Sequence, residues 1–313
     1  MSVLIYTHRS SHQHVTPPGH PERVERIVAL DALLAEAPYA NWPRAEPAQA
    51  SDEELKRAHD SAYVDAIIAA SPESGWVSLD PDTHMSPDSL TAARYAAGSN
   101  IAAVDAVLDS DTKAAFCCMR PCGHHAEIDR AMGFCLFGNV AVGALHALEA
   151  RGLKKVAIVD FDVHHGNGTQ DVFERDGRVF FASSHQIPLF PGTGGAHETG
   201  VGNIVNAPLP PMSGGGEMRT AYTGKILPAL RDFDPDLVMI SAGFDAHRDD
   251  PLANLNWTPA DFAWVTDEIC KIAAECCEGR VVSTLEGGYD LEGLRESCRA
   301  HLDALDRHVK SLA

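Results

Sequence analysis

Short apolar runs rich in Val, Ile and Phe recur along the chain: Val3 to Tyr6, Ala114 to Met119, Val156 to Phe161, Val179 to Ser183, Leu237 to Ser241 and Val281 to Leu285. Their shortness and lack of polar alternation predict strands buried on both faces. Longer stretches with apolar residues at helical spacing lie between them: Glu22 to Glu36, Ser89 to Leu108, Asn139 to Ala150, Glu217 to Arg231, Pro259 to Cys277 and Leu291 to Leu312. This alternation predicts an α/β fold, a mostly parallel central sheet with helices on both faces. The glycine-rich places, Gly192 to Gly195, Gly200 to Gly202 and Gly214 to Gly216, fall outside these elements. With no internal repeat and no long low-complexity linker, the pattern predicts one domain over residues 1–313.

Composition narrows the setting. Apolar residues make up 45% of the chain and charged ones 22%, which suits a packed core rather than disorder. No apolar run approaches the roughly 18 to 20 residues of a membrane span, and Met1 to Ser10 is too short an apolar stretch for a secretory signal. A cytoplasmic location is therefore expected. The net charge of -19 disfavours direct binding to nucleic acid and favours approach of cationic ligands such as basic peptides or polyamines. The same charge suits any acidic cytosolic enzyme, so it weights the substrate without choosing it. The eight cysteines lack zinc-ribbon spacing and most of them read as buried thiols, and the oligomeric state is left open.

In parallel sheets, ligands bind beyond the carboxyl ends of the strands. Here those positions are polar. After the Ala114 run comes Arg120-Pro121-Cys122-Gly123-His124-His125, and the Val156 run leads into Asp160-Phe161-Asp162-Val163-His164-His165-Gly166. The Leu237 run leads into Ser241-Ala242-Gly243-Phe244-Asp245, and the Val281 run into Glu286-Gly287-Gly288-Tyr289. Asp162 and His164, two apart in extended chain, project to one side and can share a metal. Asp245 can supply a third ligand from another strand, and three protein ligands with an open position is the arrangement of catalytic zinc. The oxygen-rich set also suits Fe(II). His124 and His125 both offer a base with a pKa suited to neutral pH, and Asp160, Asn167 and Asp171 are neighbours that could set which one acts. Tyr289 could donate its phenol proton to a developing oxyanion. Each motif alone is weak. Their arrival at equivalent strand ends is what carries the reading.

These motifs, together with Gly133-Phe134-Cys135, Asp160 to Gln170, Phe190-Pro191-Gly192-Thr193-Gly194, His20-Pro21-Glu22-Arg23 and His59 to Val64, resemble the histone deacetylase superfamily. The resemblance runs in order over almost the whole chain. It is closest to the class II-like bacterial histone deacetylase-like amidohydrolases, relatives of the acetylpolyamine amidohydrolases, because Asn167 stands where class I members carry an aspartate. It implies an arginase-like α/β fold, zinc on Asp162, His164 and Asp245, a general base at His125 paired with Asn167, and an electrostatic histidine at His124 paired with Asp160. Tyr289 would polarise the scissile carbonyl. Phe134 and Phe190 would wall a narrow tunnel edged by Gly133, with Asp82 at its rim. The resemblance also implies a structural potassium ion held by carbonyls near Asp160, Asp162, His164 and Ser184 and by the Ser183 hydroxyl.

The reaction implied is zinc-dependent hydrolysis of the amide of an acylated primary amine. N-ε-acetyl-lysine in a peptide or protein leads, with acetylpolyamine as the alternative. The position seven beyond Asp245 is a glutamate in a polyamine-selective relative, where it would pair with an ammonium. Here it is Leu252, an apolar gate suited to a neutral lysine stem. The alternative from another class is a silent module that binds acylated peptides. Cys122, where a proline is common, would matter for redox sensitivity only if exposed. His247 and Arg248 add positive charge near the rim without a role, and read as a solvated loop.

Overall fold

The computed structural model describes residues 2–312, so Met1 and Ala313, the ends of the expected domain, lie outside the described residues. Eight strands form one sheet in which every pairing is parallel: β1 (Leu4–Tyr6), β2 (Arg44–Ala45), β5 (Ala114–Cys117), β6 (Val156–Asp160), β7 (Val179–Gln186), β8 (Ile204–Leu209), β9 (Leu237–Ala242) and β10 (Val281–Leu285). Their order is β2-β1-β5-β10-β9-β6-β7-β8. A small antiparallel ribbon, β3 (Val77–Ser78) and β4 (His84–Met85), stands apart.

Successive residues of each strand enter opposite cores. Phe116, Val159, Ile240 and Val281 pack in one hydrophobic cluster with residues of α1 (Val24–Leu34), α8 (Leu227–Phe233), α9 (Pro259–Cys276) and α10 (Leu291–Ser311). Cys117, Ile158, Met239 and Val282 pack in the other, against α2 (Asp52–Ala58), α3 (Ser61–Ala70), α4 (Ser89–Asp109) and α5 (Asn139–Leu145). Helices therefore cover both faces, and double burial explains why the strands read as unbroken apolar runs.

Differences from the expected elements have local causes. The edge strand β8 carries no unbroken apolar signal, because Asn206 and Pro208 interrupt it, and proline is tolerated at a sheet edge, where a missing donor costs nothing. Helix α2 is strongly charged and carries its signal at its start, where Ser51 and Glu54 form a reciprocal capping box. Gly215 and Gly216 were expected outside any element but open α7 (Gly215–Ala221), which continues through a π-helical turn, Tyr222–Ile226, into α8. The expected helix Asn139 to Ala150 is α5 followed by another such turn, His146–Ala150. A short helix, α6 (Asn167–Phe173), begins inside the Asp160 to Gln170 motif. Among the described residues no helix is long and apolar enough to cross a membrane.

Candidate active site

The central strands β5, β10, β9 and β6 deliver their C-terminal segments to one rim, as the order of the sheet requires. Asp162, His164 and Asp245 each present a ligand atom within 4.8 Å of the other two, all buried, a group that could hold a metal ion. The pleat of a strand does not bring Asp162 and His164 together, because β6 ends at Asp160. The chain bends there, and the bend is fastened by hydrogen bonds from the Asp162 N–H to Asp160 Oδ1 (3.0 Å), from the His164 N–H to Asp162 Oδ1 (2.9 Å) and from the Val163 N–H to Asp245 Oδ1 (2.8 Å). His164 Nδ1 then lies 3.1 Å from Asp162 Oδ1 and 3.1 Å from Asp245 Oδ2. The Gly287 N–H donates to Asp162 Oδ2 at 2.8 Å, and a Cβ on Gly287 would stand 2.2 Å from Asp245 Oδ2. Only glycine lets backbone and carboxylates approach this closely.

Burial opposes charge throughout this group, yet the two acids outweigh it and push His164 up to about 10. Asp245, buried and facing Asp162, is raised to about 7, whereas the neighbouring imidazoles hold Asp162 below the usual carboxylate range despite its burial. A divalent cation there would replace a proton shared among acids and imidazole. The donor set of two carboxylates and one imidazole fits zinc or iron, and His164 lines a tunnel, so the group is open on that side.

The histidine pair is differentiated by its partners. His124 Nδ1 lies 2.9 Å from Asp160 Oδ2, and His125 Nδ1 lies 2.7 Å from Asn167 Oδ1. The Asn167 amide nitrogen donates to Glu127 Oε1 at 2.7 Å, an acceptor that fixes which way the amide points. His125 must therefore donate from Nδ1, leaving Nε2 with a free lone pair. Burial opposes charge on His124, but the Asp162 and Asp160 carboxylates prevail and raise its pKa well above the ordinary value. Burial, reinforced by His124 and His164, holds His125 well below it. Asp171 accepts from the Ile128 N–H and pairs with neither histidine.

Over this floor stands a tunnel of about 210 Å³ lined by Asp82, His125, Gly133, Phe134, His164, Leu189, Phe190, Leu252 and Tyr289. Every rim and wall residue expected from sequence is there. The ring of Phe190 meets His125 edge-on at 5.1 Å, and that of Phe134 meets Tyr289 at 5.8 Å. Gly133 has φ +55°, and a Cβ would lie 2.3 Å from the His125 ring. Burial raises the Tyr289 phenol well above 10, so it carries its proton at neutral pH.

Several residues that support the site had no assigned role in the sequence. The Asp250 carboxylate accepts from the backbone N–H groups of Leu252 (3.0 Å), Tyr289 (2.7 Å) and Asp290 (3.2 Å), tying the gate to the phenol. Glu286, raised to about 7 by burial, accepts from the Gly123 N–H at 2.7 Å and the His124 N–H at 3.2 Å. Its place directly after an apolar strand was the available signal. Leu189 adds an apolar wall beside Phe190. The expectation of a solvated loop at His247 is corrected: its side chain is 5% exposed, packs at the start of α10 near Gly293, and accepts from the Asp249 N–H at 3.3 Å. Arg248 is exposed, as expected, and neither residue lines the tunnel. Cys122 is buried, with its Sγ 3.4 Å from Cys135 Sγ.

Comparison with known proteins agrees with this geometry. A histone deacetylase domain profile matches residues 20–305. The chain is 38% identical over 300 residues to a probable deacetylase of Archaeoglobus fulgidus, covering 94% of this chain and 83% of that protein. It is 39% identical over 282 residues to the histone deacetylase-like amidohydrolase of Pseudomonas aeruginosa, covering 88% and 72%. The crystal structure of the HDA15 HD domain superposes with a TM-score of 0.91 at 35% identity, covering 99% of this chain and 93% of that one. On this match across the strands and loops that build the site, the chain belongs to the histone deacetylase family and is a hydrolase acting on amides.

Proposed function

We propose that the protein is a zinc-dependent deacetylase whose substrate is an acylated primary amine, N-ε-acetyl-lysine in a peptide before an acetylpolyamine. The observation that supports this most is the Asp162, His164 and Asp245 group at the end of a tunnel walled by Phe134, Phe190 and Leu252. Zinc held by these three ligands would supply a Lewis acid that activates water and polarises the carbonyl. His125, neutral at pH 7 with Nε2 free, takes a proton from the attacking water and passes it to the leaving amine. His124, held protonated by Asp160 and Asp162, keeps a positive charge beside the reacting carbon. Tyr289 donates to the oxyanion, and the aromatic walls exclude bulk water. The reading includes a structural potassium ion near Asp160, Asp162, His164 and Ser184 with the Ser183 hydroxyl, Fe(II) as the alternative metal for the same ligands, a cytoplasmic location and one domain.

The gate favours lysine over polyamine on physical grounds. A secondary ammonium passing Leu252 would lose water against an apolar wall, where the nearby Asp250 carboxylate is already engaged by three backbone N–H groups and the other carboxylate, Asp82, stands at the rim. The expected result is a kcat/KM for acetyl-lysine peptides at least about tenfold above that for monoacetylated putrescine, cadaverine or spermidine. Equal or inverted rates would transfer the assignment to polyamines, and inertness on all of them would remove the enzyme's proposed substrate class.

Metal binding is expected to depend on pH with a defined sign. Ligands bind metal deprotonated, and His164 is held up at about 10 and Asp245 at about 7. Zinc affinity should therefore fall as pH is lowered from 8 to 6, by about tenfold per unit for each proton displaced. Equilibrium dialysis with zinc measures this independently of turnover, and a flat profile would show that the three side chains do not bind the ion.

A further inference from the structure

Beside the tunnel lies a larger hollow that the hydrolytic reaction does not use. It encloses about 580 Å³ and is lined by the segment from Val15 to Glu25 on one side and by Pro251, Leu252 and Tyr289 on the other. Leu252 and Tyr289 also line the tunnel, so the two spaces share a wall.

Both banks are held firmly. On one bank Pro17, Pro18 and Pro21 restrict the backbone, and hydrogen bonds fasten it: the Thr16 hydroxyl donates to the Glu22 carbonyl at 2.6 Å, and the His20 N–H donates to the Pro17 carbonyl at 3.1 Å. His20 Nε2 is 2.9 Å from the Asp82 carbonyl, which ties this bank to the tunnel rim. The Val15 N–H donates to Ser86 Oγ at 3.1 Å, and the Trp76 indole N–H donates to the Val15 carbonyl at 2.9 Å. The other bank is the segment that Asp250 fastens to the Tyr289 backbone. The hollow is therefore a formed groove, in whose surface the proline rings, Val15 and Val24 stand beside the polar Thr16, His20, Arg23 and Glu25. Val15 in this lining and Trp76, which is hydrogen-bonded to it, remain 44% and 47% exposed, large apolar groups left in water.

We infer that this groove binds an apolar or aromatic side chain next in sequence to the acylated lysine, so that the enzyme reads a peptide and not only an acylated arm. The inference rests on the acyl-lysine reading of the tunnel. A tunnel of about 210 Å³ is of a size for the butyl stem and its acyl amide, and the adjoining space is more than that arm can fill. The backbone of a peptide must stay at the mouth once its lysine is inserted, which places neighbouring side chains over the shared wall at Leu252. Proline and valine surfaces offer such a side chain apolar area to bury. A linear acetylpolyamine has no apolar side chain to put there.

The test compares kcat/KM for dipeptides capped at both ends, in which acetyl-lysine is preceded or followed by phenylalanine or by glycine. In the wild-type protein the phenylalanine substrate is expected to exceed the glycine one by about tenfold or more on at least one side. Val15→Trp and, separately, Pro18→Trp add bulk at exposed positions on the near bank, and each should bring that ratio towards one while the thermal midpoint holds. A wild-type ratio near one, or a high ratio that survives both substitutions, overturns the groove and leaves the deacetylase reading intact. Failure to hydrolyse any of the acetyl-lysine dipeptides would overturn the deacetylase reading, and the groove's role with it.

Discussion

Tyr289→Phe is expected to lower kcat by about 10²- to 10³-fold, the loss seen when one oxyanion donor is removed from a water-poor site. The hydroxyl is suited to this part because burial keeps it protonated and because it stands in the tunnel wall shared with His125 and His164. The ring has other supports. It meets Phe134 edge-on at 5.8 Å, the Arg26 guanidinium lies 4.9 Å from its centroid, and its backbone N–H is held by Asp250. Phenylalanine keeps all of these. Zinc content and thermal midpoint should therefore match wild type, and KM should change little, because the lost hydrogen bond belongs to the transition state. If kcat falls by less than about threefold, another donor serves the oxyanion and the mechanism proposed above is wrong at that point.

Glu22→Ala is expected to cost about 3–5 kcal/mol of stability, the range for removing one partner of a buried ionic group. Glu22 is fully buried between Arg120 and Arg26, both also fully buried. Arg120 grips it with two nitrogens, Arg26 Nη1 lies 3.0 Å away and His14 Nε2 lies 3.3 Å away. Removing the acid would leave two guanidinium groups facing each other without a counter-ion. The consequences reach the site, since Arg26 also donates to the carbonyls of Glu286 (2.5 Å) and Gly288 (2.6 Å), which flank the turn into Tyr289. Urea unfolding measures the cost, and a change under about 1 kcal/mol would mean that the cluster relaxes or hydrates easily. The pH dependence has a definite sign. Burial raises the Glu22 pKa, but Arg120 and His14 outweigh it and hold it well below 4.5. A depressed carboxylate contributes fully above its unfolded value, so this stabilisation should persist above about pH 4.5 and disappear as pH falls through the lower folded value.

The residues that the chain made legible are those whose position follows from local rules. Double burial leaves continuous apolar runs, so six of the eight parallel strands were visible, and the rule that ligands gather at strand ends pointed to Asp162, Asp245, His125 and Tyr289. The strands that escaped, β2 and β8, are the sheet's two edges, where one neighbour is missing and polar residues or proline intrude. The supporting residues were harder to see for a related reason. Glu22 looks like an exposed acid at the start of a helix until Arg120, 98 positions away, folds against it. Asp250 looks like one more acid in a polar loop until three N–H groups from two segments converge on it.

Residue type and spacing along the chain were enough to establish the family resemblance, the alternation of strand and helix, and which acids, imidazoles and phenol reach one rim. Which histidine carries a proton was implied by the resemblance alone, because its cause lies in groups brought from elsewhere: Asp160 and Asp162 charge His124, while burial and the neighbouring His124 and His164 keep His125 neutral and Asn167, itself oriented by Glu127, fixes its tautomer. Residue type and spacing could not show that the neighbourhood of Leu252 is two spaces and not one. Cavities are defined by surfaces that meet only after folding, here the Val15 to Glu25 segment and the Pro251–Leu252 turn, more than 200 positions apart in the chain and joined across a single shared wall.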